Sequence, residues 1–235
     1  MRTRIIIALD PPKGVNAFDW SKNIIKETKD LVTGYKIGLP LLLRLNSINE
    51  LKEIAKLMYD SELRIVDLKL ADIGSIMVST VEPLISLGFN SFIAHAFVGL
   101  DQGLLDLSLF LRENNCNLIT VVSMSHKGSQ DIMDENLDKL LDISIKASSW
   151  GVVIGATKPD VISYARKYFS SRNVDMKILS PGIGVQGARP GSALEVGADY
   201  EIIGRLITRA KDPRAKVIEL SKIYKELEER GYGAR

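Results

Sequence analysis

The amino-acid sequence predicts an α/β fold in which eight parallel strands alternate with helices and close into a barrel. Eight short runs rich in Ile, Val and Leu alternate with longer segments that have helical spacing. The short runs show little polar alternation, which is typical of parallel strands buried on both faces. The length of 235 residues suits one such barrel. We therefore expect residues 1–235 to form a single (β/α)₈ TIM barrel domain, with its active face at the carboxyl ends of the strands.

Each expected element can be placed along the chain. The expected strands are 4–10, 33–38, 63–69, 91–96, 118–125, 151–156, 176–182 and 200–205. The clearest helices are 16–31, 136–150 and 213–230, and the last has an apolar stripe of Val217, Leu220, Ile223, Tyr224 and Leu227. An open, doubly wound sheet is the structural alternative. That fold usually has a glycine-rich turn after its first strand, whereas here the first strand ends in "ALDPPKG".

The bulk composition excludes several classes of protein. The 31 basic and 29 acidic residues give a net charge of +2, which argues against a general nucleic-acid or membrane-surface binder. The single cysteine, Cys116, cannot form an internal disulfide, which fits a reducing, cytoplasmic compartment. No apolar run approaches the ~18 residues of a membrane-spanning helix. The apolar run near the N-terminus is too short for a secretory signal.

Polar residues collect where the expected strands end. In a barrel of this type, these ends lie together on the active face. The residues in question are Asp10, Lys36, Asp67, Lys69, Asp72, His95, Ser125, His126, Gly204 and Arg205. We therefore expect a single site that combines charged, hydroxyl and glycine positions.

The segments after the seventh and eighth strands predict a phosphate site. Segment 181–191 contains four glycines, whose backbone N–H groups can approach an anion closely. Gly204 and Arg205 follow the last strand, and a guanidinium suits bidentate contact with a phosphate. Barrels often bind phosphate in these two positions, aided by a helix N-terminus.

Lys36, Asp67, Lys69 and Asp72 form an alternating set of charges. Strand alternation would place Asp67 and Lys69 on the same face. A lysine between carboxylates stays protonated, so it suits proton donation rather than Schiff-base formation. A carboxylate beside it can oppose a substrate anion and favour its loss. The set therefore predicts chemistry that creates and protonates a carbanion.

A metal site is not expected. His95 and His126 are the only histidines, and neither has a Cys or His partner at ligand spacing. The aspartates could hold Mg²⁺, but the interleaved lysines compete for the same carboxylates. We expect His95 to be a hydrogen-bonded strand-end residue rather than a catalyst.

The segment "DLKLADI" (67–73) fits a D-x-K-x-x-D-I signature, and on this basis the sequence resembles the orotidine 5′-monophosphate decarboxylase family. Matching blocks extend over nearly the whole chain: "ALD" (8–10), "YKIGLPL" (35–41), "MSHKG" (124–128), "SPGIGVQG" (180–187) and "IIGR" (202–205). The resemblance implies a homodimer with its sites at the subunit interface. It also implies cofactor-free decarboxylation of orotidine 5′-monophosphate to UMP, the last step of de novo pyrimidine nucleotide biosynthesis.

The resemblance implies a role for each member of the charged set. Lys69 resembles the proton donor to C6 of the pyrimidine, and Asp67 resembles the carboxylate that faces the substrate's carboxylate. Asp72, with Ile73 beside it, resembles the aspartate that reaches into the site of the partner subunit. Lys36 resembles the lysine that links these charges to the ribose.

The remaining implied contacts are to ribose, base and phosphate. Asp10 resembles the acceptor of a ribose hydroxyl, and Ser125 resembles a contact to the pyrimidine edge. Four further residues resemble those that bind the base and the phosphate in the family, namely Pro181, Gln186, Gly204 and Arg205. We expect loop 181–191 to become ordered when ligand binds.

Two departures from the family pattern keep alternatives open. Ile76 stands where many relatives have the threonine that holds the ribose across the interface, and Gly74 stands where proline is common. One alternative is a Mg²⁺-dependent 3-keto-L-gulonate 6-phosphate decarboxylase or hexulose-phosphate synthase, but Lys36 stands where those enzymes have a glutamate ligand. The other alternative is a non-catalytic phosphoribosyl-binding protein, against which the Asp67–Lys69–Asp72 set argues.

Overall fold

A computed structural model describes residues 3–232, so the ends of the expected domain, residues 1–2 and 233–235, lie outside the described residues. Eight parallel strands close into a barrel in the order β1 to β8, which confirms the predicted fold class. The strands are β1 (Thr3–Leu9), β2 (Val32–Gly38), β3 (Leu63–Leu70), β4 (Ser91–His95), β5 (Asn117–Ser123), β6 (Gly151–Ile154), β7 (Lys177–Pro181) and β8 (Tyr200–Ile203). The barrel closes where Ile6 of β1 pairs with Ile202 of β8.

Helices cover the outside of the barrel and connect the strands. They are α1 (Ala17–Thr28), α2 (Leu39–Leu42), α3 (Ile48–Leu57), α4 (Gly74–Ser86), α5 (Leu105–Glu113), α6 (Leu137–Lys146), α7 (Pro159–Ser170), α8 (Ser192–Glu195), α9 (Arg205–Thr208) and α10 (Pro213–Glu229). Short helical turns occur at Ala96–Val98 and Lys127–Ser129. Among residues 3–232, no helix is both long and apolar enough to cross a membrane.

The strands are buried on both faces, as their apolar runs predict. Ile5, Ile6 and Ile7 are fully buried although their side chains alternate between the barrel interior and the helix layer. Burying each such side chain contributes roughly 1.5–3 kcal/mol. At Gly34 a Cβ atom would lie 2.1 Å from the Leu63 carbonyl oxygen. The close approach of β2 to β3 therefore requires glycine at this position.

Helix α10 shows how local sequence determines where a helix begins and which of its residues are buried. Asp212 caps its N-terminus by accepting a hydrogen bond from the backbone N–H of Ala215 at 2.8 Å, and Pro213 occupies the first helical position. Four members of the predicted stripe are buried, namely Val217, Leu220, Tyr224 and Leu227. Ile223, the fifth member, is partly buried against the same core.

Several predicted boundaries are wrong by one or more residues. Strand β1 ends at Leu9, β5 at Ser123 and β8 at Ile203, each before the predicted end. Predicted helix 16–31 ends at Thr28, and predicted helix 136–150 ends at Lys146. The strand differences have one cause. At the mouth of the barrel the chain turns out of the sheet, so the polar residues that follow each strand lie in loops.

Candidate active site

A cavity of about 510 Å³ opens at the carboxyl ends of the strands. Nine of the eleven predicted site residues line it: Asp10, Lys36, Asp67, Lys69, Ser125, Pro181, Gln186, Gly204 and Arg205. Asp72 and Ile73 do not line it. The barrel therefore brings together in space residues that are up to 195 positions apart in the chain, because they lie at or near the carboxyl ends of several strands of one closed sheet.

Asp67 is the centre of a compact ion-pair cluster, which we call the charged end and define as Lys36, Asp67 and Lys69. The Nζ atom of Lys69 lies 2.8 Å from each carboxylate oxygen of Asp67. The Nζ atom of Lys36 lies 3.1 Å from Oδ2 of the same carboxylate. The Asp67 side chain is only 7% exposed, whereas that of Lys69 is 40% exposed. Lys69 is thus the member of this cluster most open to a ligand.

The Asp67 carboxylate is ionised despite its burial. Burial alone raises its pKa, but the charges of Lys36 and Lys69 and their hydrogen bonds outweigh that effect and hold the pKa below its ordinary value. A buried carboxylate that remains charged can repel a second anion placed beside it, because little water is present to screen the two charges.

Lys69 reaches Asp67 through an unusual backbone conformation. Its φ angle is +47°, in the left-handed region, and the pairing of β3 with β4 is irregular between Asp67 and Leu70. Simple strand alternation predicted that the two side chains would meet. They do meet, but across a local distortion of the strand. Such a conformation costs a non-glycine residue roughly 1–2 kcal/mol.

Asp72 lies apart from the other three charges. Its side chain is exposed, and its Oδ1 atom accepts a hydrogen bond from the backbone N–H of Ile73 at 2.7 Å. Asp72 lies two residues before α4, which begins at Gly74. A Cβ atom at Gly74 would lie 2.5 Å from Cβ of Asp106, which explains why no larger residue stands there. Within one chain, the predicted four-charge array therefore has three members.

His95 does not behave as predicted. Its Nδ1 atom is buried and has no hydrogen-bond partner among residues 3–232, although its ring stacks on Phe97 with centroids 4.6 Å apart. Burial first, and the nearby charge of Lys69 second, lower its pKa. His95 is therefore neutral at physiological pH, and the expectation of a satisfied strand-end histidine is wrong for Nδ1.

A second group of residues that line the cavity, which we call the basic end, is defined by Lys13, Arg205 and Arg209. All three side chains are exposed, and within residues 3–232 none makes a hydrogen bond or an ion pair. Gln186 is exposed in the adjacent loop after β7. Three unpaired cationic groups around one cavity favour an anionic ligand such as a phosphate.

Two cations of the basic end, Lys13 and Arg209, were not predicted from the sequence, although each lies shortly after a strand end. Lys13 lies in the loop that follows β1, three residues after Asp10. Arg209 lies four residues after Arg205, so that it follows on the same side of a helical turn. A search for cations within six residues after each strand end would have found both residues.

A buried carboxylate, also missed, fixes the end of the loop after β7. Glu201 on β8 accepts hydrogen bonds from the backbone N–H groups of Gly191 at 2.9 Å and Ala193 at 3.0 Å, and from the hydroxyl of Tyr224. Burial raises the pKa of Glu201, and these hydrogen bonds oppose that effect. Ahead of this anchored end, Gly182 and Gly184 have φ angles of +107° and +80°, which suit glycine.

The fold and the site together define a class of protein: a (β/α)₈ barrel whose cavity suits an anionic small molecule and contains a lysine–aspartate cluster. Among the described residues, no group of three or more His, Cys, Asp and Glu side chains is placed to hold a metal ion. The chain belongs to the orotidine 5′-phosphate decarboxylase / HUMPS family, whose model matches residues 3–220.

Named relatives agree with this assignment. The orotidine 5′-phosphate decarboxylase of Aeropyrum pernix is 43% identical over 89% of this chain and 84% of the relative. The enzyme of the same name from Saccharolobus solfataricus is 39% identical over 96% of this chain and 94% of its own length.

Solved structures have the same fold. Orotidine 5′-monophosphate decarboxylase from Sulfolobus solfataricus superposes with a TM-score of 0.83 at 39% identity, covering 96% of this chain and 99% of that one. The enzyme from Methanocaldococcus jannaschii, in complex with the inhibitor BMP, gives a TM-score of 0.82 at 26% identity, covering 95% and 99%.

Proposed function

We propose that this protein decarboxylates orotidine 5′-monophosphate to UMP, the last step of de novo pyrimidine nucleotide biosynthesis, without a metal or an organic cofactor. The observation that carries the proposal is the charged end, where a buried, ionised Asp67 is held between Lys36 and Lys69. Family membership and the names of the relatives support the same reaction.

The substrate would lie across the cavity from the basic end to the charged end. Arg205, with Gln186 and the backbone at Gly204, would bind the phosphate, because guanidinium and amide groups donate hydrogen bonds to its oxygens. Asp10 and Lys36 would contact the ribose hydroxyls. Ser125 and Pro181 would contact the pyrimidine. This orientation places C6 of the pyrimidine next to Lys69.

The chemical step follows from the charges around C6. The substrate carboxylate would lie beside Asp67, and the repulsion between two anions is relieved as CO₂ leaves. The C6–carboxylate bond breaks and its electron pair stays on C6. The ammonium group of Lys69 stabilises that developing charge without reorganisation and then transfers a proton to C6. Solvent returns the proton to Lys69.

The phosphate is remote from C6, so its binding free energy can order the site. Loop 182–191 has an end anchored by Glu201 and an exposed middle that carries Gln186. We infer that this loop closes over the phosphate and excludes water. Amide hydrogen exchange within the loop should slow on addition of a UMP analogue, and unchanged exchange would count against closure.

We also infer a homodimer in which Asp72 of one subunit completes the site of the other. Asp72 is exposed at the mouth and does not line the cavity of its own chain. Nearby, Ile73, Ile76 and Phe97 are large apolar side chains that are 59%, 47% and 52% exposed. Such a patch supports a contact between subunits. The single free cysteine, which is buried, supports a cytoplasmic location for this dimer.

The direct test is the absorbance change of orotidine 5′-monophosphate after addition of purified protein in EDTA. We expect turnover to UMP at the same rate with and without the chelator. Lack of turnover in either condition would reject the proposed function. Turnover that needs added Mg²⁺ would favour the sugar-phosphate type of site, which requires a metal ligand on β2 where Lys36 contacts Asp67.

A further inference from the structure

A partly buried ion pair, between Asp134 and Lys158, lies next to the cavity without lining it. The two side chains are 17% and 13% exposed. Burial raises the pKa of Asp134, but hydrogen bonds from Lys158, Ser123 and Ser129 hold it below its ordinary value. The pair is therefore charged at neutral pH, and the mechanism above gives it no role.

On one side, Asp134 is linked to the chain that carries Ser125. Its Oδ1 atom accepts hydrogen bonds from the hydroxyls of Ser123 at 2.6 Å and Ser129 at 3.1 Å. The Ser129 hydroxyl oxygen in turn accepts a hydrogen bond from the backbone N–H of Met124 at 2.9 Å. Asp134 thus holds the end of β5 and the residue that immediately precedes Ser125.

On the other side, Lys158 follows directly on a segment that touches Ser125. The hydroxyl of Thr157 donates a hydrogen bond to the Ser125 carbonyl oxygen at 3.1 Å. A Cβ atom at Gly155 would lie 2.6 Å from Cα of Ser125, so the two segments are in close contact. The Asp134–Lys158 pair therefore joins the two segments that flank Ser125.

We propose that Asp134 and Lys158 are positioning residues that fix the Ser125 hydroxyl against the pyrimidine edge. This inference rests on the proposed function, in which Ser125 contacts the base. Buried ion pairs often add little net stability, whereas they do impose one geometry on the segments they join. A displacement of about 1 Å in a substrate-positioning group can lower the rate by as much as 10²-fold.

A double-mutant cycle on turnover of orotidine 5′-monophosphate tests this coupling. The variants are Lys158→Met, Ser125→Ala and the combination of both. We expect Lys158→Met to lower kcat/KM by about tenfold in the native background. In the Ser125→Ala background the same change should lower it by less than about twofold, because the group that it positions is already gone. Lys158→Arg keeps the cation and should recover most of the lost activity.

Arg166→Met is the matched control for breaking a buried ion pair. Arg166 pairs with Asp199 at the opposite end of the barrel, where the two side chains are 10% and 8% exposed. This variant should lower Tm and leave kcat/KM unchanged. If Lys158→Met does not fold, Ser129→Ala replaces it in the same double-mutant cycle. Ser129→Ala removes only the hydrogen-bonded link between Met124 and Asp134.

Different experimental results would overturn this inference and the proposed function. Additive losses from Lys158→Met and Ser125→Ala, or no loss from Lys158→Met, would overturn the positioning role while the native protein still turns over substrate. Absence of turnover by the native protein would overturn the proposed function and this inference with it.

Discussion

The charged end and the basic end of the cavity differ in how their polar side chains are engaged. At the charged end, Asp67 is buried and contacts both Lys36 and Lys69 within 3.1 Å. At the basic end, the side chains of Arg205 and Arg209 are exposed and make no hydrogen bond or ion pair with any residue of 3–232. The charged groups of the charged end pair with one another, whereas the guanidinium groups of the basic end have N–H donors available for a ligand.

From this difference we infer separate tasks for the two ends. Groups that stabilise a transition state are most effective when they are fixed in advance, because they then need no reorganisation during the reaction. Groups that bind a remote phosphate can instead use its charge to bring a loop into place. We therefore expect changes at the charged end to act mainly on kcat, and changes at the basic end to act mainly on KM and only for phosphorylated substrates.

The largest effect should come from Lys69→Ala at the charged end. Without the ammonium group, neither the stabilisation of the C6 carbanion nor the proton donor remains, so kcat should fall by at least about 10³-fold. Steady-state assays at saturating substrate measure kcat directly. Lys177→Ala is the control, since Lys177 pairs with Asp175 at the start of β7, at the other end of the barrel. Unchanged turnover in Lys69→Ala would reject the assigned role.

The second test asks whether the partner subunit completes the charged end. Lys69→Ala and Asp72→Ala homodimers should both be nearly inactive. A purified heterodimer of the two variants contains one intact site out of two, so it should recover about half of native activity. Differently tagged, co-expressed subunits allow its isolation. If Asp72 instead acts within its own chain, both sites of the heterodimer are defective and no activity returns.

The third test uses orotidine, a substrate without the phosphate, to distinguish the basic end from the charged end. Arg205→Ala should raise KM for orotidine 5′-monophosphate by about 10- to 100-fold, the range expected for losing charge-assisted hydrogen bonds. Its kcat/KM for orotidine, which lacks the phosphate, should equal that of the native protein. Arg214→Ala, at a surface pair with Asp30, is the control. Equal losses on both substrates would contradict a phosphate contact.

The smallest effect concerns stability as pH falls. Because the pKa of Asp67 is lowered in the folded protein, its ionisation stabilises the fold above its unfolded pKa of about 4, and that stabilisation is lost as pH falls through the lower, folded pKa. The difference in Tm between native protein and Asp67→Asn should therefore narrow by a few degrees below about pH 4. A constant difference from pH 7 to pH 3 would show that the pairing does not lower this pKa.

The sequence was sufficient to predict the fold because its strands are buried on both faces. Runs such as Ile5–Ile7 have no polar alternation, and a closed parallel barrel is the architecture that such runs favour at this length. Strand ends were less predictable. Residues at the mouth, such as Asp10 and Ser125, are compatible with either strand or loop, and only the outward turn of the chain decides between them.

Site residues were predictable where they lie close to the carboxyl end of a strand, and not where they act through long-range contacts. Lys36, Asp67 and Lys69 lie in the carboxyl-terminal halves of β2 and β3, so their meeting follows from topology. Glu201 lies within β8 and is recognisable only by its contacts with Gly191 and with Ala193. The unsatisfied Nδ1 of His95 is likewise a property of three-dimensional packing, which a linear pattern does not contain.

The left-handed conformation of Lys69 sets the stability of the barrel against the proposed catalytic role of this residue. Glycine adopts a φ angle of +47° without the steric cost that a side chain incurs, so Lys69→Gly would relieve roughly 1 kcal/mol of backbone strain. The same change would remove the ammonium group. Stability of the barrel and the proposed turnover therefore favour different residues at this one position, and a lysine in this strained conformation is what a functional role predicts.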